Sequence, residues 1–169
     1  WDEKGNLMVK DGNGNFKLYY KNTDLLTEGS YVDGKLDGMY TSYYKNGILK
    51  LESEYIDGEE YVLRRWNDTG ELIVDDGNGK FIDYFSNGNM KSKTIYVDGK
   101  IDGELLMFFE DGSPRFMGYL SMGKMNGKLI KYYNSKKWSF DTKGNWKNDK
   151  RDGQCIKYYE NSQVKEEVY

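Results

Sequence analysis

The side chains best suited to chemistry in this sequence are aspartates that stand directly before glycine. They are Asp33, Asp37, Asp57, Asp98, Asp102 and Asp152. Two carboxylates facing one cleft can hydrolyse a glycosidic bond, and a denser cluster can bind Ca²⁺. Aspartate before glycine also favours tight turns, through hydrogen bonds to nearby backbone, and its repetition is typical of that role. Because these segments lack the ligand spacing of an EF-hand loop and no matched acidic pair stands out, we predict no catalytic residue and no metal site.

The residues on which most enzymes rely are absent. The chain has no histidine in its 169 residues, which excludes Ser-His-Asp and Cys-His nucleophiles and most zinc sites. Its single cysteine, Cys155, excludes an intrachain disulfide and falls where other repeats place a large apolar residue, so we expect it to be buried. We predict that the protein is not an enzyme and needs no cofactor, and a carboxylate-dependent hydrolase remains the enzymatic alternative.

Two glycine-rich segments have a composition that can cradle phosphate. They read DGNGNF at 11–16 and DGNGKF at 76–81. A phosphate-binding loop leads into a helix or ends in Gly-Lys-Ser/Thr, and neither segment does. We interpret both segments as hinges between strands.

A regularly spaced set of aromatic residues is the candidate binding face. The set is Tyr19, Tyr43, Tyr84, Phe108, Tyr132 and Tyr158. On the strands of a sheet these rings would form a ladder with steps of about 10 Å, able to stack on sugars, extended peptides or bases. Packing between neighbouring strands would select the same residues, so both interpretations stay open.

These residues recur because the sequence is a tandem repeat. The glycines that open successive repeats are Gly14, Gly38, Gly79, Gly103, Gly127 and Gly153, at intervals of 24, 41, 24, 24 and 26 residues. The long interval holds a variant repeat at 56–78, and a longer period pairs residues 1–16 with 66–81. We predict a single array over 1–169 with about seven hairpin units. Its first unit is truncated, and the array is expected to continue upstream.

The turn chemistry of the repeat predicts β-hairpins. The turn dipeptides are Asn46-Gly47, Asn87-Gly88 and Asp111-Gly112. Such dipeptides accept positive φ at both central positions of a two-residue loop. The chain has no alanine and one proline and is rich in glycine and tyrosine, which favours strands over helices. We predict an all-β fold, an elongated single antiparallel sheet of consecutive hairpins that is twisted or curled.

A two-residue loop also predicts register, because the residues that flank it pair directly. Tyr43 would then face Lys50, and Tyr44 would face Leu49 on the buried side. The aromatic and basic pairs predicted on the opposite side are Tyr43/Lys50, Tyr84/Lys91, Phe108/Arg115 and Tyr158/Lys165. Such pairs are suited to cation–π contacts.

Charge narrows the class of partner. The formal net charge is −3 with both signs interspersed, so nucleic acid and membrane lipid are disfavoured. No apolar stretch approaches the roughly 20 residues of a membrane helix. The chain begins at Trp1, so an export signal could precede it, and localisation stays open between cytoplasmic and exported. The abundance of Lys, Asn and Ile without Ala indicates an AT-rich bacterial genome.

The phrase YxDGKxDGxxxxYYxNGxLxxE at 31–52, repeated in degraded form along nearly the whole chain, resembles the bacterial variant of the MORN (membrane occupation and recognition nexus) repeat. The resemblance implies an elongated sheet of consecutive hairpins. Members of this subgroup are often labelled antitoxin components of toxin–antitoxin systems. The unit at 61–74 lacks its opening glycine, and Ser135-Lys136 and Asn161-Ser162 replace a glycine turn, so we expect the least regular structure there.

Two functional hypotheses follow. The first is a non-enzymatic protein-binding repeat module whose partner docks on the aromatic face or the sheet edge, and its specific form is the antitoxin-like member of a toxin–antitoxin pair. The second is a carbohydrate or cell-surface ligand module of an exported bacterial protein, which would use the same aromatic ladder.

Overall fold

The computed structural model describes residues 9–133 and 140–169, and every regular element in those ranges is a β-strand. The first eight strands are β1 (Gly14–Tyr19), β2 (Leu25–Val32), β3 (Lys35–Leu36), β4 (Gly38–Tyr43), β5 (Leu49–Ile56), β6 (Glu59–Trp66), β7 (Leu72–Asp75) and β8 (Asn78–Tyr84). The other eight are β9 (Met90–Val97), β10 (Lys100–Ile101), β11 (Gly103–Phe108), β12 (Pro114–Ser121), β13 (Lys124–Tyr132), β14 (Phe140–Lys147), β15 (Lys150–Tyr158) and β16 (Val164–Val168).

The strands form one antiparallel sheet whose order follows the sequence, with the short strands β3 and β10 paired to β2 and β9. The predicted all-β meander of consecutive hairpins is therefore confirmed. Within the described ranges there is no helix of the length and apolarity that a membrane crossing requires.

Contacts between residues divide the chain into two compact units. Unit 1 comprises Trp1–Gly79 with Asp98–Lys100, and unit 2 comprises Lys80–Val97 with Ile101–Tyr169. The hinge around Gly99 belongs to unit 1 because its backbone forms hydrogen bonds with residues of that unit. The Val62 N–H donates to the Gly99 oxygen at 2.8 Å, and the Gly99 N–H donates to the Gly77 oxygen at 3.0 Å. A segment distant in sequence thus ties β6 to the turn before β8.

The hinges between repeats are two-residue hairpin loops of type I′. At one hinge Asp33 has a φ of 50° and Gly34 a φ of 77°, and the flanking Val32 pairs with Lys35. A type I′ loop requires positive φ at both central residues, and Asp-Gly tolerates it. The same paired values occur at Asp11-Gly12, Asp57-Gly58, Asp76-Gly77, Asp98-Gly99, Met122-Gly123 and Asn148-Asp149. The Asp-Gly dipeptides at 33–34, 57–58 and 98–99 are therefore hairpin loops, whereas Asp37, Asp102 and Asp152 do not take the positive φ of such a loop.

The Asn-Gly loops differ from the prediction. Of the residues in the loop after β4, only Gly47 takes a positive φ, of 81°. The Tyr44 N–H donates to the Ile48 oxygen at 2.8 Å, and the Gly47 N–H donates to the Tyr44 oxygen at 2.9 Å. These bonds define a three-residue loop in which a type I turn is followed by a left-handed glycine. The prediction of a two-residue loop at Asn46-Gly47 is wrong.

The additional loop residue changes the register beside the loop and nowhere else. Tyr43 pairs with Leu49 instead of Lys50, because the register shifts between Ser42 and Tyr43. Beyond the shift Ser42 pairs with Leu51, as the alternation predicts. Equivalent shifts lie immediately before Tyr19, Phe108, Tyr132 and Tyr158. The bulge is thus a regular part of the repeat.

A loop without glycine keeps this geometry at a cost in backbone strain. Ser162 has a φ of 69°, and its N–H donates to the Tyr159 oxygen at 2.8 Å, while the Tyr159 N–H donates to the Gln163 oxygen at 2.8 Å. The prediction of an irregular structure at Asn161-Ser162 is therefore wrong. The variant repeat forms the continuous strand β6, but its ladder with β7 has only the pairs Arg65–Val74 and Trp66–Leu72, so the lower regularity expected at 61–74 is found there. The turn predicted at Ser135-Lys136 lies outside the described residues.

Replacing Thr23 by glycine is expected to stabilise the protein by about 1 kcal/mol. Thr23 has a φ of 69° in the loop after β1, and a β-branched residue is strained there. The midpoint of urea unfolding should rise. The matched control is Gly47→Thr, which places the same side chain at a φ of 81° where an added Cβ meets nothing within 4 Å, and its midpoint should fall. A lower or unchanged midpoint for Thr23→Gly would show that Thr23 is not strained.

One face of the sheet is buried. The buried apolar side chains of the described ranges are Val62, Val74, Phe81, Tyr96, Leu120, Leu129 and Cys155. Cys155 is 1% exposed, as its repeat position predicts. Aromatic rings of this face lie over strand glycines, since a Cβ on Gly29 would be 3.1 Å from the Phe16 ring and 3.2 Å from the Tyr40 ring. This cover substitutes in part for a second layer of structure.

Candidate functional site

The residues that precede the repeat-opening glycines tie successive hinges together. Asp102 Oδ2 accepts a hydrogen bond from the Met122 N–H at 3.1 Å, and Asn13 Oδ1 accepts one from the Asp33 N–H at 3.0 Å. The equivalent bonds join Asp37 to Asp57 at 3.4 Å and Asn78 to Asp98 at 3.3 Å. The described residues contain no group of three or more His, Cys, Asp or Glu side chains arranged to hold a metal ion.

In three repeats the second residue of the aromatic pair is a tyrosine that forms another tie, on the loop side. Tyr20, Tyr44 and Tyr133 donate their hydroxyls to the backbone oxygens of Tyr43, Trp66 and Tyr158 at 2.9, 2.9 and 2.8 Å. Each bond spans one repeat. Buried or half-buried tyrosine hydroxyls usually find such a partner. In these three repeats the second aromatic therefore has a structural role, and the first aromatic remains the candidate for binding.

The six candidate aromatics differ in exposure. Tyr19 and Tyr43 belong to unit 1, and Tyr84, Phe108, Tyr132 and Tyr158 belong to unit 2. Tyr84 is 56% exposed and Tyr19 is 41% exposed, while the other four are half-buried. Phe81 is 2% exposed and lies three residues before Tyr84, so the two rings point to opposite faces of the strand. Tyr84 and Tyr19 are the candidates most accessible to a partner.

Basic side chains lie against a different aromatic residue from the one predicted. The observed distances to ring centroids are 5.4 Å for Lys50 and Tyr44, 6.0 Å for Arg115 and Phe109, and 5.6 Å for Lys165 and Tyr159. The predicted partners Tyr43, Phe108 and Tyr158 are wrong by one position, because the bulge beside the loop separates them from the basic residue. In the remaining predicted pair Lys91 forms an ion pair with Asp83 at 2.9 Å.

The open face of unit 1, meaning the side opposite the buried one, carries a row of charged and polar residues. In cross-strand order the row is Lys17, Glu28, Thr41, Glu52 and Arg64. Lys17 Nζ lies 2.7 Å from Glu28 Oε2. Arg64 Nε lies 2.7 Å from Glu52 Oε2, an ion pair without hydrogen-bond alignment. Opposite charges in this row are therefore paired with each other.

Within the row of unit 1, Glu28 has three polar side-chain neighbours, Lys17, Thr41 and Tyr43. Hydrogen bonding from Lys17 is the largest of the effects that hold the pKa of the Glu28 carboxyl below its usual value. The hydroxyls of Thr41 and Tyr43 also point to Glu28 Oε1, at 3.3 and 3.5 Å. The candidate Tyr43 thus directs its hydroxyl to a neighbour in its own unit.

The corresponding row of unit 2 is mainly apolar. In cross-strand order it reads Lys93, Leu106, Met117, Ile130, Lys143, Ile156 and Glu167. We call Leu106, Met117, Ile130 and Ile156 the apolar row. All four are partly exposed. Aliphatic side chains that stay accessible on a sheet face are typical of a surface that contacts another molecule.

A shallow trough lies along part of the apolar row. Its volume is about 320 Å³. It is lined by the open-face side chains Lys128, Ile130, Lys143, Asn145, Gln154 and Ile156, with Leu129 and Gly144. The trough therefore combines two isoleucines with two lysines and two amides, a set that can hold an apolar group while binding an anionic one.

Three stretches of the chain, each running through one hairpin, match a known repeat. The family model of the MORN repeat variant matches residues 36–57, 77–98 and 151–169. These segments contain β4 with β5, β8 with β9, and most of β15 with β16. Three hairpins of this chain match the MORN repeat. No curated protein matches the chain.

The MORN matches and the pairing pattern support a repeat module. Hairpin β11–β12 lies outside the matched segments and still repeats the MORN-like arrangement. Leu105 pairs there with Gly118, as Phe16 pairs with Gly29 in hairpin β1–β2. A large side chain thus faces a small one in both units.

Sequence reasoning missed the apolar row, although the sequence contains a signal for it. The third residue after each repeat-opening glycine is, in order, Lys17, Thr41, Ile82, Leu106, Ile130 and Ile156. This repeat position changes from polar to apolar along the chain. Alignment of the repeats by that glycine is enough to show the change.

Proposed function

We propose that the chain is a non-enzymatic repeat module that binds a protein partner through the open face of its sheet. The observation that carries the proposal is the exposure of large side chains on ordered strands, above all Tyr84 at 56% and Tyr119 at 48%. Tyrosine is enriched at protein interfaces, where it offers a large contact area with few rotatable bonds. The MORN repeats support a binding module of this kind.

Replacing Tyr84 by serine is expected to weaken binding of the natural partner by about tenfold or more. Crosslinking and mass spectrometry on cells producing the chain would identify the partner, and titration calorimetry with purified proteins would give the affinity. Tyr19→Ser tests the equivalent position of unit 1. The matched control is Tyr159→Ser, since Tyr159 is 50% exposed and, one residue after the open-face Tyr158, lies on the opposite side of the chain. This variant should leave the affinity unchanged. Failure to recover any specific protein would contradict the proposal.

A more specific form of the proposal is the antitoxin-like member of a bacterial toxin–antitoxin pair. The resemblance to the bacterial MORN variant supports it. Co-expression of the chain with the protein encoded by the neighbouring gene should restore growth that the neighbour alone arrests. Growth arrest that persists although the chain is folded would contradict the antitoxin role. It would not contradict the general proposal of protein binding.

The alternative is a carbohydrate or cell-surface ligand module. The exposed rings of Tyr19 and Tyr84 favour it, because tyrosine faces can stack on sugars. Retention on immobilised polysaccharides, lost on Tyr84→Ser, would support this alternative.

We propose a protein partner in preference to nucleic acid because carboxylates such as Glu104 and Glu167 share the open face with the lysines.

A further inference from the structure

We propose that the open face of unit 2 docks an acidic amphipathic segment of the partner protein. The apolar side chains of that segment would contact Leu106, Met117, Ile130 and Ile156, and its carboxylates would pair with Lys128 and Lys143. This inference rests on the proposed protein-binding function and names its surface and the chemistry of its ligand.

The apolar row is continuous over β11, β12 and β13 and is interrupted once, at β14. Leu106 pairs directly with Met117, and Met117 pairs directly with Ile130. Lys143 separates Ile130 from Ile156 by one strand. Cross-strand neighbours on one face lie about 5 Å apart, so Leu106, Met117 and Ile130 form one apolar surface, and Ile156 lies beyond the Lys143 side chain. An extended segment that crosses these strands can bury apolar groups along the whole row.

Unit 1 shows that the repeat does not require this composition. At the same strand positions unit 1 has Glu28 between Lys17 and Thr41, joined by an ion pair and a hydrogen bond. Both rows face away from the buried side, and both are compatible with the fold. The apolar residues of unit 2 are therefore better explained by contact with another molecule than by the needs of the sheet.

Charge indicates the sign of the ligand. Unit 1 contains 10 Lys and Arg against 17 Asp and Glu, a net charge of −7, whereas unit 2 contains 15 against 11, a net charge of +4. Lys128 and Lys143 line the trough beside Ile130 and Ile156. Complementary charge steers association and discriminates between partners. Unit 2 therefore favours an acidic ligand. The net charge of the whole chain does not show this, because the negative charge of unit 1 outweighs the positive charge of unit 2.

The distribution of carboxylates favours a narrow ligand over an anionic bilayer. Glu104 lies on the open face beside Tyr119, and Glu167 ends the row beside Ile156. A planar anionic surface would bring its charge against both carboxylates. A single segment that follows the row and the trough can contact Lys128 and Lys143 without covering Glu104.

The test uses the full chain and a defined probe, a short fluorescent peptide of alternating leucine and glutamate read by anisotropy. We expect saturable binding. The double variant Lys128→Glu/Lys143→Glu should weaken it by about tenfold or more, and Ile130→Thr/Ile156→Thr should do the same. The charge-matched control is Lys147→Glu/Lys150→Glu, at the exposed hinge pair outside the trough, which should stay within about twofold of the parent chain.

Control peptides test separately whether binding needs the negative charges and whether it needs the apolar side chains. Replacing glutamate by lysine, or leucine by serine, should each abolish saturable binding. Circular dichroism and the unfolding midpoint confirm that each variant is folded. Equal loss in the trough and control variants, or equal binding of all peptides, would overturn the inference, as would no binding at all. Preferential binding to phosphatidylserine vesicles, or self-association of the chain that the trough variants abolish, would assign the face to a membrane or to a second copy.

Binding measurements with the natural partner distinguish a failure of this inference from a failure of the proposed function. If the partner binds and Lys128→Glu/Lys143→Glu has no effect, the protein-binding function stands and its surface lies elsewhere. If no partner is recovered, the function itself fails.

Discussion

Phe81→Ala should lower the free energy of unfolding by about 3–5 kcal/mol. Phe81 is 2% exposed on the buried face of β8, so its removal leaves a cavity in one of the most enclosed parts of unit 2. The loss combines the transfer free energy of the ring with the contacts that its neighbours forfeit. Urea unfolding followed by far-ultraviolet circular dichroism would measure the change.

Tyr84→Ala is the control for Phe81→Ala. Tyr84 lies on the same strand and is 56% exposed, so its replacement should change stability by less than about 0.5 kcal/mol. Similar losses for the two variants would contradict the assignment of a buried and an open face. A larger loss for Tyr84 would reverse that assignment.

Gly77→Ala should destabilise unit 1 by about 3 kcal/mol. Gly77 has a φ of 73°, and an added Cβ would lie 2.4 Å from the nitrogen of Gly99 and 3.0 Å from its Cα. Backbone atoms cannot rotate away as a side chain can. The substitution should therefore break the bond between the Gly99 N–H and the Gly77 oxygen, and with it the tie to Val62. Unfolding in urea gives the total loss.

Gly34→Ala separates backbone strain from steric overlap. Gly34 has a φ of 77°, nearly that of Gly77, and an added Cβ meets nothing within 4 Å. The control should lose about 1 kcal/mol, the cost of a left-handed alanine alone. Amide hydrogen exchange should accelerate at Val62 and Gly99 in Gly77→Ala. Unchanged exchange at both amides would contradict the proposed tie.

The sequence predicts the fold because two signals agree along the chain. Glycine spacing gives the repeat, and alternation sorts side chains such as Phe81 and Tyr84 to opposite faces. The length of the Asn-Gly loop is the part of the prediction that is wrong. Asn46-Gly47 and Asp33-Gly34 are equally compatible with a two-residue loop, and a dipeptide does not reveal whether a third residue joins the loop. The backbone bonds of Tyr44 settle that point.

The candidate site could be predicted only in part. The positions of Tyr19 and Tyr84 on exposed strands follow from the repeat, whereas the pairing of Tyr44 with Trp66 depends on a contact across 22 residues that no local pattern contains. The apolar row was within reach of the sequence, because a two-residue loop at Asp111-Gly112 already pairs Leu106 with Met117 and the bulge beside the loop leaves that pair unchanged. The binding role of the six aromatics stays a prediction.

The opposite charges of the two units also depend on the fold. The boundary falls inside β8 after Gly79, at the end of β9 after Val97 and inside β10 after Lys100, so no linker or change of composition marks it. Once the units are known, the basic excess of unit 2 and the apolar row coincide.

The most direct test of the account is a methyl nuclear magnetic resonance titration of the full chain, labelled at isoleucine, with its natural partner. The account predicts that the methyl signals of Ile130 and Ile156 shift and saturate together, while those of Ile56, which is 52% exposed in unit 1, stay in place. Saturable shifts at Ile56 with Ile130 and Ile156 unchanged would contradict it.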